Sequence, residues 1–537
     1  MPAILRATTT RRGAPVDLYF FIQFEAMHNI IAQLLIVRSV AWPKDDVILA
    51  LKIFDAEGYF AILSCVKSES QNSVRYLLAI AGLGGLLYGI DFGVIAAASP
   101  YIKALRLFSD AELSWIVGAV LFGGIVSSLT AGMLAERFGR KRMIVASAAL
   151  FLVAIPTVCL SEKSLLPMLF GRVLQGVSAG YMAVVMPMYL TETLPPEIRG
   201  RGTGVFQFCL GLGLVTAAAV GYVVAKLYGA ADAPTELVAD AAKSAAWKMN
   251  FWWTLAPVAA LFLGSLRLPE SPVWMQSVKC KVESVKFRNC DASSTLHFSL
   301  SILHSRKYVV PFLLAVAVLT LNKTTGMSSV TSYFVMIFQK AGFAGTLGNV
   351  GDFAIKFTNL VVTLVAASLV DKVGRTWLLK IGTAGMTIGL AAIGGVLLAI
   401  ERFGLEPSTT TGLFCLVAFF VMQVFYALGP GICVWLVLSE LMPTRIRANG
   451  MAIALFSNQF VAWGLASSFL PWVNAWGWAS MFFFFAANGV IYFLVSLFIP
   501  ETKGKSLEEL EHLFDKRREA RDEGASCPMS NVSRPHH

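Results

Sequence analysis

Beyond residue 75 the chain alternates long apolar runs with short polar turns. The runs fall at about 76–104, 112–135, 142–161, 165–190, 201–228 and 249–267. After a polar stretch from Glu270 to Lys307 they resume at about 308–338, 348–370, 376–400, 411–438, 447–470 and 473–499. Runs of about 18 residues or more predict helices able to cross a hydrocarbon core of about 30 Å. The pattern therefore predicts an all-α membrane protein with twelve transmembrane helices in two sets of six.

The flanking segments differ in character. Residues 1–74 hold short apolar runs, Leu18 to Phe24 and Ile30 to Val37, broken by charge and without a signal-peptide layout. They read as a cytosolic extension or a wrongly assigned gene start. The tail from Glu501 is dense in charge, with Leu507, Leu510 and Phe514 on one helical stripe, and is expected to be soluble. The expected organisation is a 1–74 extension, a 75–269 six-helix half, a 270–307 cytosolic linker, a 308–500 six-helix half and a 501–537 cytosolic tail.

The two halves repeat each other. Gly132 to Arg142, which contains Glu136, Gly139 and Arg140, returns as Asp371-Lys-Val-Gly374-Arg375. Glu192 with Arg199, seven residues on, returns as Glu440 with Arg447, also seven on. Pro269-Glu-Ser-Pro272 returns as Pro500-Glu-Thr-Lys-Gly504. Three repeats in one order point to a duplicated six-helix unit.

Composition narrows the class. Hydrophobic residues make up 56% of the chain and charged residues 14%, too apolar for a fold exposed only to water. The net charge of +11 gathers in short loops such as Arg137, Arg140, Lys141 and Arg142. Such loops read as positive-inside anchors rather than a nucleic-acid surface, and with an even span count they place both termini in the cytoplasm. The eight cysteines form no CxxC, and the six histidines lie outside the spans, so no metal or haem site is expected. No nucleophile–base pair or phosphate loop is visible, so neither an enzyme nor a cofactor is expected. The glycines of Gly82 to Gly89 suit close helix packing.

The repeated charges have a physical use. Glu192 and Glu440 end their spans, where a carboxylate at a helix C-terminus needs a cation. A nearby arginine supplies charge-assisted bonds, and such pairs can form in one conformation and break in another. The expected cytosolic gate is Glu136, Arg140, Glu192 and Arg199, with Asp371, Arg375, Glu440 and Arg447 in the second half.

These loops, the two Pro-Glu signatures, and Gly429-Pro-Gly431 before Trp435 resemble the sugar porter family of the major facilitator superfamily, over about residues 75–511. The resemblance implies the major facilitator fold and alternating access; a functional monomer is expected. Asp91 in the first span and Arg172 in the fourth match the proton-coupling pair of proton-coupled members. An intramembrane charge needs a partner in any case, and protonating Asp91 would free Arg172 and shift a two-state equilibrium. Gln207, Asn322, Lys323, Ser328, Asn359, Trp435 and Asn458 fall at sugar-binding positions.

The seventh span departs from the family pattern. It reads Asn322-Lys323-Thr324-Thr325-Gly326-Met327-Ser328, placing Lys323 where an amide is usual and Ser328 where a longer contact is usual. Gly326 fits a broken helix. Asp352 and Lys356 lie four apart on one helix face. Either Asp352 neutralises one lysine and the other snorkels outward, or the group forms a cationic subsite. Gln459 stands where a ring-contacting tryptophan is common. The expectation is proton-coupled uptake of a monosaccharide or related polyol across the cell membrane, with solute, proton and bilayer as partners. A symporter of a sugar acid or small organic anion, a facilitative uniporter and a non-transporting nutrient sensor are the alternatives.

Overall fold

The computed structural model describes residues 69–228, 239–278, 306–343, 346–441 and 447–501. The first half contains α1 (Glu69–Ala104), α2 (Asp110–Phe138), α3 (Arg140–Cys159), α4 (Leu165–Thr193), α5 (Pro196–Leu227), α6 (Asp240–Trp252) and α7 (Leu255–Leu266). The second contains α8 (Arg306–Thr324), α9 (Met327–Lys340), α10 (Leu347–Val373), α11 (Arg375–Arg402), α12 (Thr409–Leu428), α13 (Pro430–Leu441), α14 (Arg447–Trp476) and α15 (Trp478–Phe498). Among the described residues these supply twelve helical segments long and apolar enough to span a membrane, three of them built from two helices each: α6–α7, α8–α9 and α12–α13. Most of residues 1–74, the middle of the linker and the tail beyond Glu501 lie outside the described residues.

The largest departures from the hydropathy reading are at the sixth and eleventh spans. The sixth span begins at Asp240 rather than near 249. Its first turns carry Lys243, which is buried and held 3.1 Å from Asp240, so local pairing offsets charge that a hydropathy count penalises. The eleventh span, α14, continues through Pro471 to Trp476. It stops at Gly477, whose φ of 86° breaks the helix and whose successors are capped by Glu401: Trp478 N–H donates at 2.8 Å and Ala479 N–H at 3.3 Å.

Each half packs by close approach. In the first, α4 lies against α2 and α3, and in the second α11 lies against α12 and α15. Gly85 and Gly89 of α1 back directly onto the α5 backbone at Phe206 and Leu210, where any side chain would meet a carbonyl. Small residues that let backbones approach are the usual means of association where lipid removes the hydrophobic drive. Four described cysteines are free, three of them buried.

The halves meet along α2 with α14 and α5 with α10. At the start of α2, Asn474 Nδ2 donates to Asp110 at 2.6 Å, and Leu470 N–H donates to Ser114 Oγ at 3.1 Å. Further along, Phe122 lies 5.6 Å from Trp463, and Gln459 abuts Gly124. Tyr333 of α9 donates to Ser114 at 3.4 Å and stacks on Phe469 at 4.5 Å. These contacts occupy the part of α2 remote from the basic loops.

Candidate functional site

The first cluster sits inside the first half. Asp91 of α1 and Arg172 of α4 are both buried, with Nη1 3.5 Å from Oδ1. Neither carboxylate oxygen has a hydrogen-bond partner. Arg172 is better held: Nη1 donates to Gln175 Oε1 at 2.7 Å, Nε reaches the Ile116 carbonyl at 3.5 Å, and the guanidinium lies 5.6 Å over the Phe251 ring. The arginine therefore has anchors that do not depend on Asp91, while the carboxylate depends on the arginine. Gln175 and Phe251 are not among the residues that the motifs point to. Gln175 carries a readable signal, standing three residues from Arg172 on one helix face; Phe251 carries none.

The second cluster surrounds the break in the seventh span. Gly326 adopts φ 76°, a left-handed conformation open to glycine, and the Phe485 ring fills the space a side chain would need. The break expected from the sequence is present, ending α8 at Thr324 and starting α9 at Met327. Lys323 Nζ is part-buried and donates to Ser328 Oγ at 3.0 Å across it. Asp352 is not its partner. The buried Asp352 carboxylate takes Lys356 at 2.7 Å, and Lys356 also lies 3.5 Å from the Gly93 carbonyl of α1. The pairing follows from helix geometry, since residues four apart on α10 are held together whatever the neighbouring span does.

Other predicted contact residues are divided. Asn458 is buried and donates to the Leu319 carbonyl of α8 at 3.1 Å, and Asn359 accepts from Gln423 of α12 at 2.7 Å. Both make helix-to-helix bonds. Asn322 bonds Tyr426 but keeps a buried Oδ1 with no donor. Gln207 and Trp435 are exposed.

At the basic-loop end, Arg140 bonds Glu192 through Nη2 at 2.8 Å and Nε at 3.2 Å, and donates from Nη1 to the Ala135 carbonyl at 3.1 Å. Ser271 closes the group by donating to Glu192. Arg140, Glu192 and Ala135 all belong to the first half, so the pair ties the ends of α2, α3 and α4 together, with Ser271 joining from the start of the linker. Glu136 is exposed, and its carbonyl accepts Trp274 Nε1 at 2.8 Å. Glu270 accepts from the N–H groups of Arg140 and Lys141, each at 2.9 Å, and Glu501 accepts from Arg375 N–H at 3.1 Å and Thr376 N–H at 3.2 Å. Each half thus caps its third span with the glutamate of its own Pro-Glu motif, a role the motif alone does not disclose. The side chains of Arg199, Asp371, Glu440 and Arg447 lie outside the described residues.

A family model described as "Sugar (and other) transporter" matches residues 77–514. The chain belongs to the sugar (and other) transporter family. It is a multi-pass membrane transporter of major facilitator type and not an enzyme. Among similar members, the arabinose–proton symporter of Bacillus subtilis is 28% identical over 84% of this chain and 97% of its own length. The galactose–proton symporter of Escherichia coli K12 is 27% identical over 84% and 96%. The glucose transporter GlcP of Staphylococcus epidermidis is 30% identical over 84% and 99%. The fold is shared with a D-xylose–proton symporter crystal structure, at TM-score 0.66 and 22% identity over 81% of this chain and all of that one.

Proposed function

We infer that this transporter couples the uptake of a monosaccharide-type solute to the inward movement of a proton. The observation that carries the reading is the buried Asp91–Arg172 pair, whose carboxylate has no hydrogen bond to hold its charge. Similarity to symporters of arabinose, galactose and xylose supports it. Protonating Asp91 removes one charge of the pair, and Arg172 then rests on Gln175, the Ile116 carbonyl and Phe251. The two protonation states therefore have different bonding between α1 and α4, which is the differential interaction that a two-state carrier requires. Positive loops favour the cytosol, so the joined ends of α2 and α14 belong to the outer face. The protein then sits in the cell membrane with both termini inside and works by alternating access as a monomer. With an uncharged solute, one proton moved down 100 mV supplies about 2.3 kcal/mol, between ten- and a hundredfold of accumulation.

The test is Asp91→Asn in vesicles reconstituted with the purified chain. Concentrative uptake driven by a pH gradient should vanish, while counterflow exchange of solute persists because exchange needs no net proton cycle. Undiminished accumulation would remove Asp91 from the coupling role. If the wild type equilibrates solute without moving protons, it is a facilitator, as a uniporter reading requires.

A further inference from the structure

Lys323 lies near the middle of the span Val309–Lys340, where an isolated charge is costly and marks a functional position. The buried acids of the first and eighth spans are already matched by other cations. Asp91 is with Arg172 and Asp352 with Lys356. Among the described residues no carboxylate pairs with Lys323, and its described hydrogen-bond partner is the neutral hydroxyl of Ser328. The three basic and two acidic groups of these clusters therefore leave one uncompensated positive charge at the helix break. Beside it, Asn322 offers a buried carbonyl oxygen that no donor satisfies. The first turn of α9 begins there behind a glycine that makes no side-chain cap.

We propose that Lys323, Ser328 and Asn322 form a carboxylate subsite, so that the solute is a sugar acid carrying hydroxyls, not a neutral sugar. This rests on the reading of the protein as a proton-coupled carrier and specifies its substrate. An ammonium has three donors and no acceptor. It gives a neutral hydroxyl one ordinary bond and a carboxylate a charge-assisted one, while the Asn322 oxygen accepts from a hydroxyl. The difference is worth roughly ten- to a hundredfold in affinity. Charge accounting adds a second consequence. One proton taken up on Asp91 with one monoanion moves no net charge, so the pH gradient drives uptake and the membrane potential does not.

The experiment is competition against labelled glucuronate in vesicles containing the full chain, using glucose, xylose, gluconate and unlabelled glucuronate. The acids should compete at least tenfold better than the neutral sugars. An interior-negative potassium diffusion potential without a pH gradient should leave glucuronate uptake unchanged. Lys323→Gln should lower or reverse the preference, and Lys323→Arg, which keeps the charge, should retain most of it. Equal competition by acids and neutral sugars in the wild type would overturn the subsite, and this arm stands even if Lys323→Gln fails to fold. Acceleration of glucuronate uptake by the potential would overturn the charge balance. An acid preference that persists without any dependence on the pH gradient would keep the subsite and refute proton coupling.

Discussion

Lys356 reaches across two helices at once, to Asp352 on its own α10 at 2.7 Å and to the Gly93 carbonyl on α1 at 3.5 Å. Both members of the pair are nearly inaccessible, and Asp352 Oδ1 has no partner of its own. Losing one member of such a pair strands a charge, at a cost of about 3–5 kcal/mol, whereas replacing both by apolar groups of similar size is often neutral. Asp352→Leu should therefore lower the thermal unfolding midpoint of the detergent-solubilised protein markedly, and adding Lys356→Met should recover most of the loss. Equal damage from the single and double variants would show that the pair is not what stabilises this contact. The sequence placed Asp352 and Lys356 on one face but left open which lysine the acid takes. Spacing along a helix fixes neighbours within it, whereas the distance from α10 to Lys323 depends on how separate spans pack.

Helix ends show what a repeated motif can and cannot reveal. The duplication of Gly139-Arg140 as Gly374-Arg375, and of the Pro-Glu signatures, was legible as recurrence in order. Its physical content was not, because Glu270 is 130 residues from the Arg140 amide that it caps. Each cap follows a glycine with φ near 100°, 96° at Gly139 and 110° at Gly374, which turns successive N–H groups toward the carboxylate. A carboxylate at a helix N-terminus gains from both the free N–H groups and the helix dipole. Glu270→Gln and Glu501→Gln should each cost about 0.5–2 kcal/mol. The two caps share no described partner, so their effects should add in the double variant, as independent sites do. Unfolding of the solubilised variants checks this. A double variant no worse than either single one would mean that the two ends unfold as a unit. The same comparison applies to Gly326, whose break was readable from its place among polar residues, while its packing against Phe485 was not.

At the scale of the whole molecule, two halves of six spans could be read from the sequence, but not which end of the seam is joined. Alternating access uses the same helices in both states, and interfaces of this kind are bistable across small energy differences, so no residue pattern selects one. The structure places the hydrogen bonds Asn474–Asp110 and Leu470–Ser114 and the ring pair Phe122–Trp463 on the part of α2 remote from the basic loops. If solute passes by rocking the halves, this seam must part in every cycle. Gly118 and Ser467 offer a way to prevent it. A Cβ placed on Gly118 lies 3.2 Å from the Ser467 Cβ, a few tenths of an ångström inside the span of about 3.5–4.5 Å common to disulfides. Gly118→Cys with Ser467→Cys should therefore cross-link under mild oxidation after a small outward shift. Transport should fall to background and return on reduction, with each single variant unaffected by the oxidant. Solute binding from the basic-loop side should survive the cross-link, because that side does not need this seam to open. A cross-linked protein that still transports at its full rate would show that α2 and α14 move together, and that access to the outer face is controlled elsewhere, with the α9 segment around Tyr333 the next place to look.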